Sequence, residues 1–139
     1  ARRIREEAAA FSIVSVPPEE IDEINIYQAT LLAMYQALKT LSVPPEAVIV
    51  DAMPLHGRVP VMSVVHGDAR SASVAAASIV AKVHRDRLME EYDRQYPGYG
   101  FAGHKGYGTA RHIEAIRELG ITPIHRKSFE PVRSMIENR

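Results

Sequence analysis

The spacing of apolar residues predicts two long helices and one short one. Over 26–41, apolar side chains recur every three or four positions, as on the buried face of an amphipathic helix. Asn25 is suited to cap this helix. A second long helix is expected over 70–95, and Thr109 and Gly120 are suited to begin and end a shorter one. The side chains expected to face inward are Tyr27, Leu31, Met34, Tyr35, Leu38, Val83, Leu88 and Tyr92.

Three short apolar runs predict strands. The continuous apolar run at 47–50 is typical of a buried strand, and a second strand is expected at 61–65. The β-rich run at 11–16 ends in two prolines. Asp51 follows the first buried run directly and Asp68 follows the second. The composition leaves an α/β fold and an α+β fold both open.

Length and composition favour one compact domain with a single core. The chain has 139 residues, of which 46% are hydrophobic. Its longest apolar stretch, 71–83, is short and alanine-rich, so no membrane span is predicted. The chain contains no cysteine, which excludes thiolate zinc sites and disulfides and suits a cytoplasmic location.

The formal net charge of zero conceals an uneven distribution. Residues 1–69 carry five Lys or Arg against nine Asp or Glu, whereas residues 70–133 carry eleven against seven. The excess of basic residues at 70–133 is suited to bind phosphates. Solvent-exposed helix surfaces with mixed charges would give the same charge count.

Asp51 and Asp68 are candidate ligands for a divalent cation. Ligands of α/β sheets bind at the carboxyl ends of the strands, and carboxylate oxygens suit Mg²⁺ or Mn²⁺. Spacing alone leaves a structural alternative, in which Asp68 caps the helix that starts near Ser71 and Asp51 opens a turn.

The loop at 98–108 interleaves glycines, aromatic residues and cations. Its aromatic rings offer stacking faces, and His104 and Lys105 offer positive charge to phosphate. It lacks the phosphate-loop pattern of nucleotide kinases. The alternative is a flexible surface loop with aromatic anchors.

Other catalytic patterns are absent. The six histidines show no His-Glu-x-x-His or comparable zinc spacing, and no serine lies in a Gly-x-Ser-x-Gly elbow.

Several motifs in order along the chain resemble ribonuclease HII. The longest is GDARSASVAAASIVAK at 67–82, and the others extend over nearly the whole chain. They are EIDEINI (20–26), VDAM (50–53), RD (85–86), YPGYGF (96–101), HKGYGT (104–109) and HRKSF (125–129).

The resemblance implies a ribonuclease H-like fold, a mixed sheet flanked by helices. It implies endonucleolytic cleavage of RNA in RNA/DNA hybrids and at single ribonucleotides in duplex DNA, giving 3'-hydroxyl and 5'-phosphate ends. Four carboxylates would hold two Mg²⁺ or Mn²⁺ ions. Asp51 and Asp68 resemble the third and fourth, and Tyr107 resembles the tyrosine that packs on the junction sugar. Candidate phosphate contacts are Lys82, Arg85, Lys105 and Arg126.

The chain departs from the family at its N-terminal end. Residues 1–10 read as the end of a helix, and nothing there resembles the Asp-Glu-Val-Gly-Arg-Gly strand that supplies the first two carboxylates. We therefore expect the 139 residues, the C-terminal part of one catalytic domain, to be inactive alone, or to receive the missing segment from further residues or another chain. Without that segment, a sheet edge beside 47–50 would be exposed. No obligate protein partner is evident, apart from the segment that completes the site. The alternative is a module that binds nucleic acid without cutting it, or a structural fragment.

Overall fold

The computed structural model describes residues 1–138 as helices joined to a small parallel sheet. The described elements are α1 (Arg2–Glu7), α2 (Pro18–Thr40), β1 (Val48–Asp51), β2 (Val61–Val64), α3 (Gly67–Arg70), α4 (Ala72–Gln95), α5 (Phe101–His104), α6 (Ala110–Leu119) and α7 (Val132–Glu137). None of the described helices combines the length and the apolar character that a membrane crossing requires.

The chain divides into two compact units. The first unit comprises Ala1–Ser15 and Thr30–Val83, and the second comprises Val16–Ala29 and His84–Arg139. Both units are assembled from segments that are distant in sequence. The prediction of one domain with one core stays a prediction.

The first unit contains the sheet. Strands β1 and β2 pair in parallel, with Val48 opposite Val61 and Asp51 opposite Val64. Val50 is buried on one face, whereas the register partners Ile49 and Met62 are 43% and 62% exposed. One face of the sheet therefore carries apolar side chains that the described residues leave uncovered.

Residues 11–16 form no strand, so that prediction was wrong. Ser12 bonds by its hydroxyl to Thr40 at the end of α2, and Phe11 lies beneath the Arg5 guanidinium. The run therefore follows α1 as an extended segment held by side chains. High β propensity makes a strand only where a partner strand is available for hydrogen bonding.

Helix α2 contains the helix start predicted at Asn25. Asn25 adopts a non-helical conformation with φ 70°, and its side-chain oxygen accepts a hydrogen bond from the Gln28 amide at 3.0 Å. The predicted buried face is only partly correct, because Tyr27 and Tyr35 are 48% and 39% exposed. The Tyr35 hydroxyl instead accepts a hydrogen bond from the His56 amide.

Helix α4 is anchored at its middle and in its second half. Val80 and Met89 are buried, and the predicted inward residue Tyr92 packs against the core of the second unit. The small residues near the start of the helix, Ala72, Ser73, Ala77 and Ser78, are exposed within the described chain. The described residues therefore leave this face of small side chains uncovered.

The second unit is built around Phe101, which is 2% exposed. Its core also contains Tyr99 from the preceding loop, Ile116 from α6 and Val132 from α7. The Tyr99 and Phe101 rings stack with their centroids 5.4 Å apart. Thr109 caps α6 through the His112 amide, and Gly120 ends it with φ 87°, as predicted.

Asp22 connects the start of α2 to the C-terminal segment of the same unit. Its carboxylate accepts hydrogen bonds from the Lys127 and Ser128 amides at 2.9 and 3.0 Å and from the Ser128 hydroxyl at 2.5 Å. Burial raises the pKa of Asp22, but the hydrogen bonds from Ser128 and Lys127 and the charge of Arg126 outweigh it, so the pKa lies below its usual 3.8. We call this arrangement the Asp22 clamp.

Removal of the clamp should destabilise the chain. We expect Asp22→Ala to lower the free energy of unfolding by about 1–2 kcal/mol, because three charge-assisted hydrogen bonds are lost at a partly exposed position. Because the folded-state pKa is lowered, the stabilisation is present above the unfolded pKa and is lost as the pH falls through the folded value. Urea unfolding at pH 7 and pH 3 measures both effects. The control is Glu23→Ala, at an exposed neighbour, and equal losses for the two variants would contradict the clamp.

Candidate functional site

Asp51 and Asp68 lie close together in the first unit. Asp51 is the last residue of β1, and Asp68 lies in the first turn of α3, which contacts both strands. Gly67 brings the two segments together, because a Cβ at that position would lie 3.5 Å from the Asp51 Cβ and 3.2 Å from Val74. The absence of a side chain at Gly67 allows this approach.

The structural alternative for Asp68 does not hold. Ser71, not Asp68, lies at the start of α4, and its hydroxyl accepts a hydrogen bond from the Val74 amide at 3.4 Å. The α3 helix shows no side-chain cap. Both aspartates are exposed, and among residues 1–138 neither carboxylate has a hydrogen-bond or ionic partner. Helix capping therefore does not account for Asp68, whereas Asp51 does precede the bend at Ala52.

The donor set fits a divalent cation only in part. Carboxylate oxygens are suitable ligands for Mg²⁺ or Mn²⁺. However, the described part of the chain contains no group of three or more His, Cys, Asp or Glu residues that could hold a metal. Asp51 and Asp68 can thus supply part of a coordination shell, and further ligands are required.

The glycine-rich loop divides into a buried part and an exposed part. Tyr99 and Phe101 are core residues, so the expectation that they offer stacking faces was wrong; apolar rings beside α6 and α7 are more stable when buried. Tyr107 is 65% exposed. It is therefore the aromatic ring of this loop that remains available for stacking.

Arg85 lies beside the Tyr107 ring and bonds to the backbone of Lys105. The Arg85 guanidinium donates to the Lys105 carbonyl at 3.0 Å and lies 5.8 Å from the centre of the Tyr107 ring. The Lys105 ammonium lies 4.0 Å from Glu90. Lys105 and Gly106 both have positive φ, 55° and 84°. Arg85 thus supports a turn in an unusual conformation as well as placing positive charge beside the exposed ring.

The other predicted cations lie elsewhere. Lys82 belongs to the part of α4 in the first unit and is exposed. Arg126 lies in the second unit, with its guanidinium 4.4 Å from the centre of the Phe129 ring and near the Asp22 clamp. The structure therefore groups Arg85 and Lys105 with Tyr107, and groups Asp51 with Asp68. The roles of all seven residues in binding and catalysis stay predictions.

Sequence reasoning missed three clustered histidines in the second unit. His112 and His125 are 6% and 7% exposed, and the His104 ring stacks on His112 with centroids 4.1 Å apart. Their separations in sequence, eight and thirteen residues, match no metal motif. No local sequence signal identifies this cluster.

The fold is that of a ribonuclease H2. Over 99% of its length, the chain superposes on 73% of the chain in the crystal structure of the ribonuclease H2 from Pyrococcus horikoshii OT3, with a TM-score of 0.80 and 24% sequence identity. This likeness establishes the fold and confirms the predicted α/β class, of which the described residues contribute two parallel strands.

The chain belongs to the ribonuclease HII family, whose sequence profile matches residues 1–132. It is 53% identical over 135 residues to a curated protein named Ribonuclease HII from Ligilactobacillus salivarius (strain UCC118). That alignment covers 97% of this chain and 53% of the relative. The chain thus spans about half the length of the curated relative it matches.

Proposed function

We propose that this chain forms the C-terminal part of an endoribonuclease that cleaves RNA in RNA/DNA hybrids and at ribonucleotides embedded in duplex DNA. The observation that supports the proposal is that Gly67 packs the segment of Asp68 against Asp51, with both carboxylates exposed, in a chain of the ribonuclease HII family. The reaction is hydrolysis that leaves 3'-hydroxyl and 5'-phosphate ends. The absence of cysteine favours a cytoplasmic location, which stays a prediction.

Asp51 and Asp68 would hold Mg²⁺ or Mn²⁺ together with two carboxylates of the Asp-Glu-Val-Gly-Arg-Gly strand. The bound ions would activate water and stabilise the leaving 3'-oxygen. The two aspartates of this chain bring negative charge to one edge of the sheet. Because they supply half of the carboxylates, we propose that the 139 residues alone do not cleave.

A nicking assay tests this function. The substrate is duplex DNA with one ribonucleotide, and the two samples are the 139-residue chain and the same chain joined to a family segment that carries the Asp-Glu-Val-Gly-Arg-Gly strand. We expect Mg²⁺-dependent nicking from the joined protein only. Binding without nicking by the joined protein would favour the alternative, a non-catalytic nucleic-acid-binding module.

Tyr107 is proposed to contact the sugar at the junction between ribonucleotide and DNA. We expect Tyr107→Ala to reduce the preference for an embedded ribonucleotide over a continuous hybrid by about tenfold, since aromatic stacking on nucleic acid is worth on the order of 1–3 kcal/mol. Competition between the two substrates in the joined protein measures the preference. Tyr27→Ala is the matched control, because Tyr27 is also an exposed tyrosine of the second unit. An unchanged preference in Tyr107→Ala would rule out this role.

A further inference from the structure

The histidine cluster is joined to the glycine-rich loop by hydrogen bonds. The His112 Nδ1 atom lies 2.8 Å from the Tyr107 carbonyl, and its Nε2 atom lies 2.9 Å from the His125 Nε2 atom. The His125 Nδ1 atom lies 2.9 Å from both the amide nitrogen and the hydroxyl of Thr122. A continuous chain of contacts therefore runs from Thr122 through two imidazoles to the backbone of Tyr107.

The partners assign one tautomer to each ring of this chain. The Thr122 amide can only donate, so the His125 Nδ1 atom accepts and the His125 Nε2 atom carries the proton. The His125 Nε2 proton is donated to the His112 Nε2 atom, which leaves the proton of His112 on Nδ1. That proton is donated to the Tyr107 carbonyl, which can only accept. Both rings are neutral in this arrangement.

Burial supports the neutral form of both rings. It lowers the pKa of His125 to about 4, with a further contribution from neighbouring His112. It also lowers the pKa of His112, despite the opposing hydrogen bond to the Tyr107 carbonyl. Protonation of either ring would place a positive charge among the rings of His104, Tyr99 and Phe101, which favours the neutral form.

His104 holds the other side of the same loop. Its Nδ1 atom accepts from the Gly106 amide at 3.1 Å, so its Nε2 atom donates to the Tyr99 carbonyl at 2.7 Å. The backbone at Gly106 and Tyr107 is thus bonded to two stacked imidazoles. The Tyr107 side chain extends into solvent from this fixed backbone.

We propose that His112 is a positioning residue for Tyr107, and that His125 fixes the tautomer of His112 by donating to its Nε2 atom. The hydrogen bond from the His112 Nδ1 atom holds the Tyr107 carbonyl and thereby fixes the direction in which the exposed ring meets the sugar at the junction. This role rests on the proposed function of Tyr107. It differs from core packing because it depends on a donor at one particular atom, the Nδ1 of His112.

Two substitutions at His112 separate positioning from packing. Asparagine places an amide nitrogen near the position of Nδ1 and can still donate to the Tyr107 carbonyl, whereas glutamine extends its amide toward the position of Nε2. Both remove the ring and leave a polar amide, so we expect similar melting temperatures. In the joined protein, we expect His112→Gln to reduce the preference for an embedded ribonucleotide by about tenfold, as Tyr107→Ala does, and His112→Asn to retain it. Equal losses, or no loss in either variant, would overturn the proposal.

Nuclear magnetic resonance of the 139-residue chain gives a readout that does not depend on cleavage. Imidazole ¹⁵N shifts at neutral pH should show a protonated Nδ1 in His112 and a protonated Nε2 in His125. Both variants lose the ring current of His112, so they are compared with each other. The Gly108 amide, which belongs to the same peptide group as the Tyr107 carbonyl, should lie closer to its wild-type position in His112→Asn than in His112→Gln. The opposite tautomer of His112 would overturn the proposal even in an active enzyme. If the joined wild-type protein fails to nick, the proposed function is wrong, and these spectra still decide whether His112 holds Tyr107.

Discussion

Asp51→Asn should lower the nicking rate of the joined protein by at least about 100-fold, since a bound metal supplies several kcal/mol of transition-state stabilisation and each 1.36 kcal/mol is a factor of ten. Asparagine keeps the shape of the side chain but removes the negative charge that attracts a divalent cation. Asp68→Asn should have an effect of similar size, because Gly67 places its segment directly beside Asp51. Single-turnover nicking of a duplex with one ribonucleotide measures both variants.

The matched control is Asp93→Asn, which makes the same change on α4 in the second unit. Its rate should remain within about twofold of the wild type, in the range of a surface change of less than 0.5 kcal/mol. Raising the Mg²⁺ concentration should recover part of the activity of the Asp51 and Asp68 variants, if weakened metal binding is the cause. Full activity in either variant would show that the assignment of that aspartate is wrong.

Phe101→Ala should lower the free energy of unfolding by about 3–5 kcal/mol, the usual cost of removing a buried aromatic side chain. Phe101 is the largest fully buried side chain among the described residues. Its ring contacts those of Tyr99, His104, His112 and His125, with centroids 5.4 to 5.7 Å apart. The substitution therefore leaves a cavity among these four rings. Such a loss is a large fraction of the total stability of a small domain, about 5–15 kcal/mol.

Phe129→Ala provides the comparison for this prediction. Phe129 belongs to the same unit but is 45% exposed, and its described ring contact is with the Arg126 guanidinium. We expect it to cost about 1 kcal/mol or less. Urea unfolding measures the loss of unfolding free energy in both variants. The dependence of that free energy on urea concentration should be compared between them. A loss below about 1 kcal/mol in Phe101→Ala would mean that the core of the second unit lies elsewhere.

Local sequence signals predicted most of the helices and the two strands of the sheet. Thr109 and Gly120 were identified from capping preferences, and Asn25 was correctly placed at a helix start. The strand predicted at 11–16 was wrong for a different reason. A strand needs a neighbouring strand to pair with, and the β propensity of a segment gives no information about such a neighbour. The exposure of Tyr27 and Tyr35 was not predicted for a similar reason. A 3.6-residue period identifies the apolar face of a helix, but it does not show which segment packs against that face.

The candidate site was predictable only in part. The predicted strand ends identified Asp51 and Asp68 as candidates. Their spacing alone did not show whether Asp68 caps a helix. The structure excludes that alternative, because Ser71 caps α4. The histidine cluster was not predictable from any local pattern. His112 and His125 meet through the turn that follows α6, and their tautomers depend on the carbonyl and amide groups that surround them.

The Asp22 clamp also bears on the order of events during biosynthesis. Its partners Lys127 and Ser128 lie 105 and 106 residues after Asp22. At about 5–20 residues per second, the ribosome needs roughly 5–20 s to synthesise the intervening chain. During that interval, residues 16–29 are exposed without the segment that completes their unit. The clamp can therefore form only after the first unit's residues have been synthesised.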